Sequence, residues 1–265
     1  MSGSSRKKTL LQCFVDVLVT FLCWGYFIFA FLFFFSFFYL GSYLFAEDKE
    51  KSFQYLNHRF FKGFLALLRT LAPRHRWLID HRVKDIQGAI IVCNHLSYLD
   101  PLLFLSLLPH SKTIVKTKFF AAPVFGFLLD VSGYLPSTTE GKYAGKMIEQ
   151  IENMGEFFEN GGNLFVFPEG TRSNGESIGV LHKGVFKIAR MHQCPIYVLS
   201  LRGTDKLFTP GHFFFNTTIQ NSITLQQLEI IKAESTGGKM TVSKLHEKVE
   251  QVFQQQIVCG EQTAR

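Results

Sequence analysis

The segment that decides the fold spans residues 89–101 and reads AIIVCNHLSYLDP. Its first five residues are apolar and rich in β-branched side chains, a pattern typical of a short strand buried on both faces. Asp100 and Pro101 favour the start of a helix, because Asp caps free backbone N–H groups and Pro is tolerated at the first helical position. The segment therefore predicts a buried strand, a loop and then a helix.

The rest of the chain repeats this alternation of short apolar runs and amphipathic stretches. Such alternation predicts an α/β domain with a mostly parallel sheet flanked by helices, whose functional loops lie at strand ends. We expect strands at residues 113–115, 163–167, 196–201, 213–218 and 223–225, and helices at residues 142–159, 185–192 and 241–257.

The N-terminal stretch, residues 9–46, is strongly apolar, with Asp16 as its one charged residue. It is too long for the apolar core of a signal peptide, which has about 7–15 residues. About 20 helical residues cross a bilayer, so the stretch is compatible with one long span or two short ones. We expect residues 1–46 to form a retained, membrane-embedded anchor, as a two-helix hairpin with its turn near Gly25.

A second helix is predicted after the charged break at residues 47–51. Apolar residues recur at three- and four-residue steps from Phe53 to Leu71, and basic residues occupy the other face. This arrangement suits a helix in the lipid headgroup layer and equally a helix packed on a soluble domain. The chain thus divides into the anchor at 1–46, an interfacial helix and linker at 47–84, and an α/β domain at 85–265.

Composition narrows the class of partner. The formal net charge of +7 suits an anionic partner, and the 47% content of hydrophobic residues favours a membrane over a nucleic acid. No P-loop or G-x-G-x-x-G follows a predicted strand, which disfavours nucleotide chemistry. The cysteines are far apart and include no C-x-x-C pair, so we expect no disulfide and no metal site. These cysteines are Cys13, Cys23, Cys93, Cys194 and Cys259.

The loop after the first buried strand contains His95 and, five residues later, Asp100. A loop that turns into a helix can fold the carboxylate back under the imidazole. A carboxylate on one ring nitrogen fixes the tautomer and leaves the other nitrogen free to take a proton from a hydroxyl. We therefore predict His95 as a general base. No G-x-S-x-G motif is present, which favours direct attack by the substrate hydroxyl without a covalent enzyme intermediate.

A second loop, residues 167–173 with the sequence FPEGTRS, follows another predicted buried strand. Arg172 offers a planar fork of donors that matches phosphate oxygens. Glu169 would repel a phosphate, so its residue type favours a loop anchor or a partner for Arg172 or a nearby Lys. Loops at the ends of two strands of one sheet can converge on a single site.

Together, NHLSYLD at residues 94–100 and FPEGTRS at residues 167–173 resemble the glycerolipid acyltransferase family, which includes 1-acylglycerol-3-phosphate acyltransferase. The resemblance extends to residues 116–120, 133–136 and 195–198 and covers roughly residues 50–210. It implies that His95 deprotonates the acceptor hydroxyl and that Asp100 orients His95. The substrate-binding residues it implies, for the acceptor's phosphate and glycerol region, are Lys116, Glu169, Gly170, Thr171 and Arg172.

The resemblance implies transfer of a fatty acyl group from acyl-CoA or acyl-carrier protein to lysophosphatidate, without a bound cofactor. The domain would then lie on the cytoplasmic face, where these donors arrive, and the hairpin anchor keeps it there. The family usually has an Arg just after the segment at 133–136, where this chain has Ser137, Thr138 and Thr139. Another lysophospholipid, a lyso-aminolipid or a transacylation therefore remains open, as does a non-catalytic lipid-binding scaffold. Lys142 and Lys146 are candidates for the missing positive charge.

Overall fold

A seven-stranded mixed sheet with strand order β1-β7-β6-β2-β5-β3-β4 forms the centre of the protein. The computed structural model describes residues 8–138, 140–173, 179–235 and 238–262. Only β6 and β7 pair antiparallel; every other neighbouring pair in this sheet is parallel. Its strands are β1 (His75–Ile79), β2 (Ile90–Cys93), β3 (Ser111–Val115), β4 (Leu135–Pro136), β5 (Asn163–Val166), β6 (Ile196–Arg202) and β7 (Asn221–Ile231).

Helices cover both faces of the sheet and bury its side chains in two clusters. A two-stranded ribbon, β8 (Glu234–Ser235) and β9 (Gly238–Lys239), precedes the last helix. The predicted α/β fold with a mostly parallel sheet flanked by helices is confirmed. The helices are α1 (Leu10–Ala30), α2 (Ser36–Phe45), α3 (Lys49–Leu71), α4 (Leu99–Leu107), α5 (Pro123–Val131), α6 (Ala144–Glu152), α7 (Met154–Glu159), α8 (Gly184–His192), α9 (Thr204–Leu207) and α10 (Val242–Gln262).

The N-terminal helix is continuous from Leu10 to Phe45, with one π-helical turn at Phe31–Phe35 between α1 and α2. Gly25 lies inside α1, so the turn predicted there does not form. The chain reverses instead between Phe45 and α3, whose first turn is capped by Asp48. Tyr39 contacts Phe53, and Tyr26 contacts Phe60, so α3 returns antiparallel along the apolar helix. The division at residues 46 and 84 stays a prediction.

This helix is long and apolar enough to cross a membrane. Most of its large apolar side chains are exposed. Val19 and Cys23 nevertheless belong to the core beside Phe64 and Leu68 of α3. The exposed side chains are Leu10, Leu11, Phe14, Leu18, Phe21, Leu22, Ile28, Phe29, Leu32, Phe33, Phe34, Phe37, Phe38, Leu40, Tyr43, Leu44 and Phe45.

Two element predictions are wrong. Residues 213–218 form a loop, because their backbone donors bond side chains of α1: Phe215 N–H donates to Thr20 Oγ1 (3.0 Å) and Thr217 N–H to Asp16 Oδ1 (2.8 Å). The predicted helix at 142–159 is divided into a 3-10 turn, α6 and α7, with Asn153 between the two helices. The strand predicted at 223–225 is part of the longer β7.

The parallel strands bring the predicted site to one edge of the sheet. β2, β5, β3 and β4 all run in the same direction, so their carboxyl ends share that edge. His95 follows β2, the FPEGTRS loop follows β5, Lys116 follows β3 and Ser137 follows β4. Sequence segments up to about eighty positions apart therefore lie side by side.

Candidate active site

The imidazole of His95 is held by the carboxylate of Asp100. Nδ1 of His95 donates to Asp100 Oδ2 at 2.8 Å, while Nε2 makes no hydrogen bond to any residue that the structure describes. This arrangement fixes the tautomer with the proton on Nδ1 and leaves Nε2 as the acceptor. The predicted pairing of the two side chains is present in the geometry.

Asp100 is fully buried and accepts three further hydrogen bonds. The backbone N–H groups of Leu96 and Ser97 donate to Oδ2 at 2.6 and 2.8 Å, and Thr204 Oγ1 donates to Oδ1 at 2.6 Å. A buried carboxylate needs such donors to offset the loss of water. Asp100 is the second residue of α4 and not its N-cap, so its carboxylate turns back to the loop that carries His95.

Asn94 and Phe167 fix the loop and the ring from two other sides. Asn94 exchanges two hydrogen bonds with the backbone of Leu201 in β6, at 2.9 and 2.8 Å. The imidazole of His95 stacks on Phe167, with ring centroids 4.3 Å apart and planes inclined by 20°. The preceding Cys93 is buried, and burial raises the pKa of its thiol. A thiolate nucleophile at Cys93 is therefore disfavoured.

Glu169 joins the two loops through its carboxylate. Oε1 accepts the N–H of His95 at 3.1 Å, and Oε2 accepts the N–H of Gly179 at 3.0 Å. Ser173 N–H in turn donates to the carbonyl of His95 at 2.8 Å. Glu169 is buried and makes no ion pair within the described part of the chain. Both carboxylate oxygens of Glu169 thus anchor the loops, in agreement with the structural role that its negative charge favours. The contact with substrate that the family resemblance implies stays a prediction.

Gly170 and Thr171 form the exposed tip of the second loop. Gly170 adopts φ of +65°, and a Cβ there would lie 3.1 Å from the ring of His182. Both observations favour glycine at this position. The tip therefore presents backbone and a hydroxyl to solvent beside His95.

Arg172 lies over the ring of Tyr98, with its Cζ atom 3.6 Å from the ring centroid. Nη1 of Arg172 is buried and has no hydrogen-bond partner in the described residues. A guanidinium held by a ring with an unused buried donor is suited to an anion. The sequence analysis did not single out Tyr98, although its aromatic ring lies inside the NHLSYLD segment.

The remaining cationic candidates lie further along the sheet edge. Lys116 is exposed at the start of the 3-10 turn Thr117–Ala121. Lys142 lies over the ring of Tyr143, and Lys146 forms an ion pair with Asp130. Lys146 is therefore already paired with a carboxylate. Thr139 lies outside the described residues, as do residues 1–7.

A cavity of about 170 Å³ lies directly beside the candidate site. Its exposed lining is apolar, and Tyr98 separates it from Arg172. The N-terminal helix forms one wall of this cavity, α3 and α4 form the others, and the loop after α9 closes it. Its lining residues are Cys23, Trp24, Phe27, Phe64, Tyr98, Leu99, Leu102, Phe208 and Phe215.

Residues 77–202, which include both loops of the site, match the Acyltransferase family model. A chloroplastic 1-acyl-sn-glycerol-3-phosphate acyltransferase of Brassica napus is 34% identical over 137 residues, 48% of this chain and 39% of that protein. A lyso-ornithine lipid O-acyltransferase of Pseudomonas aeruginosa is 34% identical over 96 residues, 36% of each chain.

The chain therefore carries, at residues 77–202, an acyltransferase domain similar to those of the glycerolipid acyltransferase family. It spans less than half the length of these two curated relatives. The fold is also that of the crystal structure of the 1-acyl-sn-glycerophosphate (LPA) acyltransferase PlsC from Thermotoga maritima. That comparison gives a TM-score of 0.71 and covers 96% of this chain and 98% of that one, at 22% identity. The family match ends at residue 202, so Thr204 and the apolar N-terminal helix lie outside it.

Proposed function

We propose that this protein transfers a fatty acyl group from acyl-CoA or acyl-carrier protein to the free hydroxyl of lysophosphatidate, which gives phosphatidate. The observation that carries the proposal is the pair of His95 and Asp100. Nε2 of His95 is not bonded to any described residue and lies at the same sheet edge as Arg172. A base and an anion-binding group at one edge suit a substrate that has both a hydroxyl and a phosphate.

In the proposed reaction, Nε2 of His95 takes the proton of the acceptor hydroxyl as the oxygen attacks the thioester carbonyl. Asp100, bonded to Nδ1, stabilises the imidazolium that forms. Collapse of the tetrahedral intermediate breaks the carbon–sulfur bond, and the imidazolium returns its proton to the leaving thiolate. The products are the new ester and the free thiol, with His95 restored.

The acceptor phosphate is assigned to Arg172, whose buried Nη1 has no partner in the described residues. The exposed Thr171 is adjacent and offers a hydroxyl, whereas the N–H of the exposed Gly170 already donates to the carbonyl of Phe167 at 3.1 Å. Lys116 supplies a further positive charge from the neighbouring strand end. Glu169 is assigned to loop support, because its two oxygens already accept backbone N–H groups.

The apolar cavity beside Tyr98 is assigned to part of an acyl chain. An apolar cavity of about 150 Å³ holds a benzene molecule, so 170 Å³ accommodates a chain segment of roughly six carbons. Three of its lining residues, Cys23, Trp24 and Phe27, belong to the N-terminal helix. This helix therefore contributes to the substrate site as well as to membrane attachment.

We further propose that the protein is monotopic, with its α/β domain on the cytoplasmic face. Asp16 and Thr20 bond the domain's loop at residues 215–218, so the first half of the helix lies along the domain. Exposed apolar groups of the domain flank both halves: Phe213 stacks on Trp24, and Phe127 contacts Tyr43. One continuous apolar surface along the domain suits insertion into a single leaflet.

The decisive experiment measures acyl transfer from labelled acyl-CoA by protein reconstituted in vesicles. We expect turnover on lysophosphatidate that falls about 10²–10⁴-fold in His95→Ala. His212→Ala, which changes an exposed loop histidine of the same domain, should keep wild-type turnover. Arg172→Lys should raise the acceptor KM. Equal turnover in wild type and His95→Ala would reject His95 as the base.

A second acceptor class has its own supporting observation. Ser137 and Thr138 occupy the sheet edge where the family usually has an Arg, and one relative is named a lyso-ornithine lipid O-acyltransferase. Under this alternative, a lyso-aminolipid replaces lysophosphatidate and the His95 chemistry is unchanged. The same assay with lyso-aminolipids and other lysophospholipids as acceptors decides between them by kcat/KM.

A further inference from the structure

Asn57, buried in the middle of α3, bonds three hydroxyl groups from two other segments. Its Oδ1 accepts the hydroxyl of Tyr39 at 2.6 Å. Its Nδ2 donates to Ser132 Oγ at 2.9 Å and to the hydroxyl oxygen of Tyr134 at 3.1 Å. Tyr39 belongs to the apolar helix, whereas Ser132 and Tyr134 lie in the catalytic domain just before β4. One amide therefore connects the membrane helix with the sheet.

Asn57 continues a polar stripe of α3 that we define as Glu50, Gln54 and Asn57. These residues lie one and two helical turns apart and so share one face. Nε2 of Gln54 donates to the carbonyl of Ser132 at 3.0 Å. The polar stripe thus contacts the segment before β4 at more than one point.

Glu50 extends the polar stripe to the neighbouring strand β3. Its carboxylate pairs with Nζ of Lys112 at 2.7 Å, and the Lys112 side chain is only 3% exposed. The same carboxylate covers Gly133, where an added Cβ would overlap with Oε2 of Glu50. Gly133 has φ of +69°, so a side chain is disfavoured there on both counts.

The two strands that the polar stripe contacts lead to the acceptor end of the candidate site. β3 contains Lys112 and is followed by Lys116, and β4 follows Tyr134 and leads to Ser137 and Thr138. The amide of Asn57 is bonded at both its oxygen and its nitrogen, whereas Oε1 of Gln54 has no hydrogen-bond partner among the described residues. Buried polar groups that are bonded in this way favour one arrangement of the segments that they join. The hydrogen bonds that Asn57 makes to Ser132 and Tyr134 therefore help to hold the segment at residues 132–138 in place.

We propose that Asn57 is a positioning residue that ties Tyr39 of the membrane helix to residues 132–138 and so sets the affinity for the acceptor headgroup. This inference rests on the proposed function, because the headgroup is assigned to that edge of the site. The neighbours Phe37, Phe38 and Leu40 of α2 are exposed, whereas Tyr39 is buried. Insertion of α2 into lipid thus keeps the Tyr39 hydroxyl turned toward Asn57.

The first test removes single hydroxyl groups with Tyr39→Phe and Tyr134→Phe in the full-length protein on vesicles. The matched control is Tyr55→Phe, because Tyr55 is half exposed on α3, the helix of Asn57, and its hydroxyl has no hydrogen bond within the described residues. A hydrogen bond contributes about 0.5–1.5 kcal/mol, so each test variant should raise the acceptor KM about two- to tenfold. The donor KM and kcat should stay within about twofold. In the double variant, the rise in the acceptor KM should be smaller than the product of the two single rises, because both hydroxyl groups act through Asn57.

The second readout needs no turnover and separates this inference from the proposed function. Backbone hydrogen exchange at residues 132–138 should be faster in vesicle-bound Tyr39→Phe than in wild type and in Tyr55→Phe. Unchanged exchange, an unchanged acceptor KM, or a parallel loss of kcat and both affinities with a lowered unfolding midpoint would overturn the inference. If wild type turns over no lysophospholipid, the proposed function fails and the exchange rates alone decide the positioning role.

Discussion

Thr204 Oγ1 donates a 2.6 Å hydrogen bond to Oδ1 of Asp100, although the two residues are 104 positions apart in the chain. Thr204 is fully buried at the start of α9, directly after β6. His95, Asp100 and Thr204 therefore form a chain of hydrogen bonds that joins the ends of β2 and β6.

The first prediction concerns this hydroxyl group. A hydrogen bond to a charged group is worth about 1.5–3 kcal/mol, so Thr204→Val should lower kcat about tenfold or more by loosening Asp100. Thr204→Ser retains the hydroxyl and should keep most of the activity. Steady-state kinetics on the acceptor tests this, with Thr209→Val as the control, because Thr209 bonds the carbonyl of Asp205 in the same region. Equal losses in the Val and Ser variants would contradict the role of the hydroxyl.

The second prediction separates loop support from substrate binding at Glu169. In Glu169→Gln, the amide nitrogen faces one of the two backbone donors, so one N–H loses its acceptor. We expect the free energy of unfolding to fall by about 1–3 kcal/mol and kcat to decrease, with the acceptor KM nearly unchanged. Chemical denaturation and kinetics measure both effects, and Glu159→Gln on the surface is the control. A rise confined to the acceptor KM would instead favour direct substrate contact.

The third prediction uses two cysteines of α1. Cys23 lines the apolar cavity, whereas Cys13 is exposed on the same helix. Cys23→Phe should fill the cavity and shift the preferred acyl chain to a shorter length. Cys13→Phe should leave the preference unchanged, because it adds a ring only to the exposed surface. Competition between acyl donors of different chain length provides the measurement, and an identical profile in both variants would exclude the cavity as an acyl site.

The fourth prediction concerns the attachment of the N-terminal helix to the domain. Asp16 accepts hydrogen bonds from the backbone and side chain of Thr217 and from Thr218 N–H, and it forms an ion pair with Lys8. Asp16→Ala leaves these donors unpaired, so the thermal midpoint in detergent should fall by about 5 °C or more. Asp85→Ala, an exposed control, should not lower it. An unchanged midpoint in Asp16→Ala would show that the hydrogen bonds and ion pair of Asp16 do not hold the helix to the domain.

The fifth prediction is a dependence of stability on pH. Burial lowers the pKa of His58 below its ordinary value of 6.5, and burial also lowers the pKa of His75. Both residues therefore take up protons more readily in the unfolded chain, so the contribution of these two histidines to stability is complete above pH 6.5 and is lost as the pH falls below it. Urea denaturation at pH 8 and pH 5.5 should show this loss. His58→Gln should reduce the difference between the two pH values, and an equal difference would exclude His58 as a contributor.

Local patterns in the sequence predicted the strand, loop and helix at residues 89–107 and the loop at residues 167–173. The two loops of the site each follow a buried strand, and such strands are recognised in the sequence as short runs of adjacent apolar residues. The pairing of His95 with Asp100 was accessible for the same reason, because the two residues are five positions apart. Element order also predicted the α/β class, since parallel strands require crossover helices.

Contacts between distant segments were decided by the tertiary structure. Thr204 meets Asp100, Asn57 meets Tyr134, and Asp16 meets Thr217 only because the sheet order and the returning α3 bring these segments together. Asp16 has Lys8 as a partner nearby in the chain, but nothing in the neighbouring sequence indicates that its other partners are Thr217 and Thr218. The turn predicted near Gly25 was wrong, because Gly25 lies inside α1. Helical hydrogen bonds and flanking apolar contacts outweigh the modest cost of one glycine in a helix. The sequence by itself therefore determined the buried strands that precede the two loops and the pairing of His95 with Asp100, whereas long-range packing decided what supports that pair and how the apolar helix joins the site.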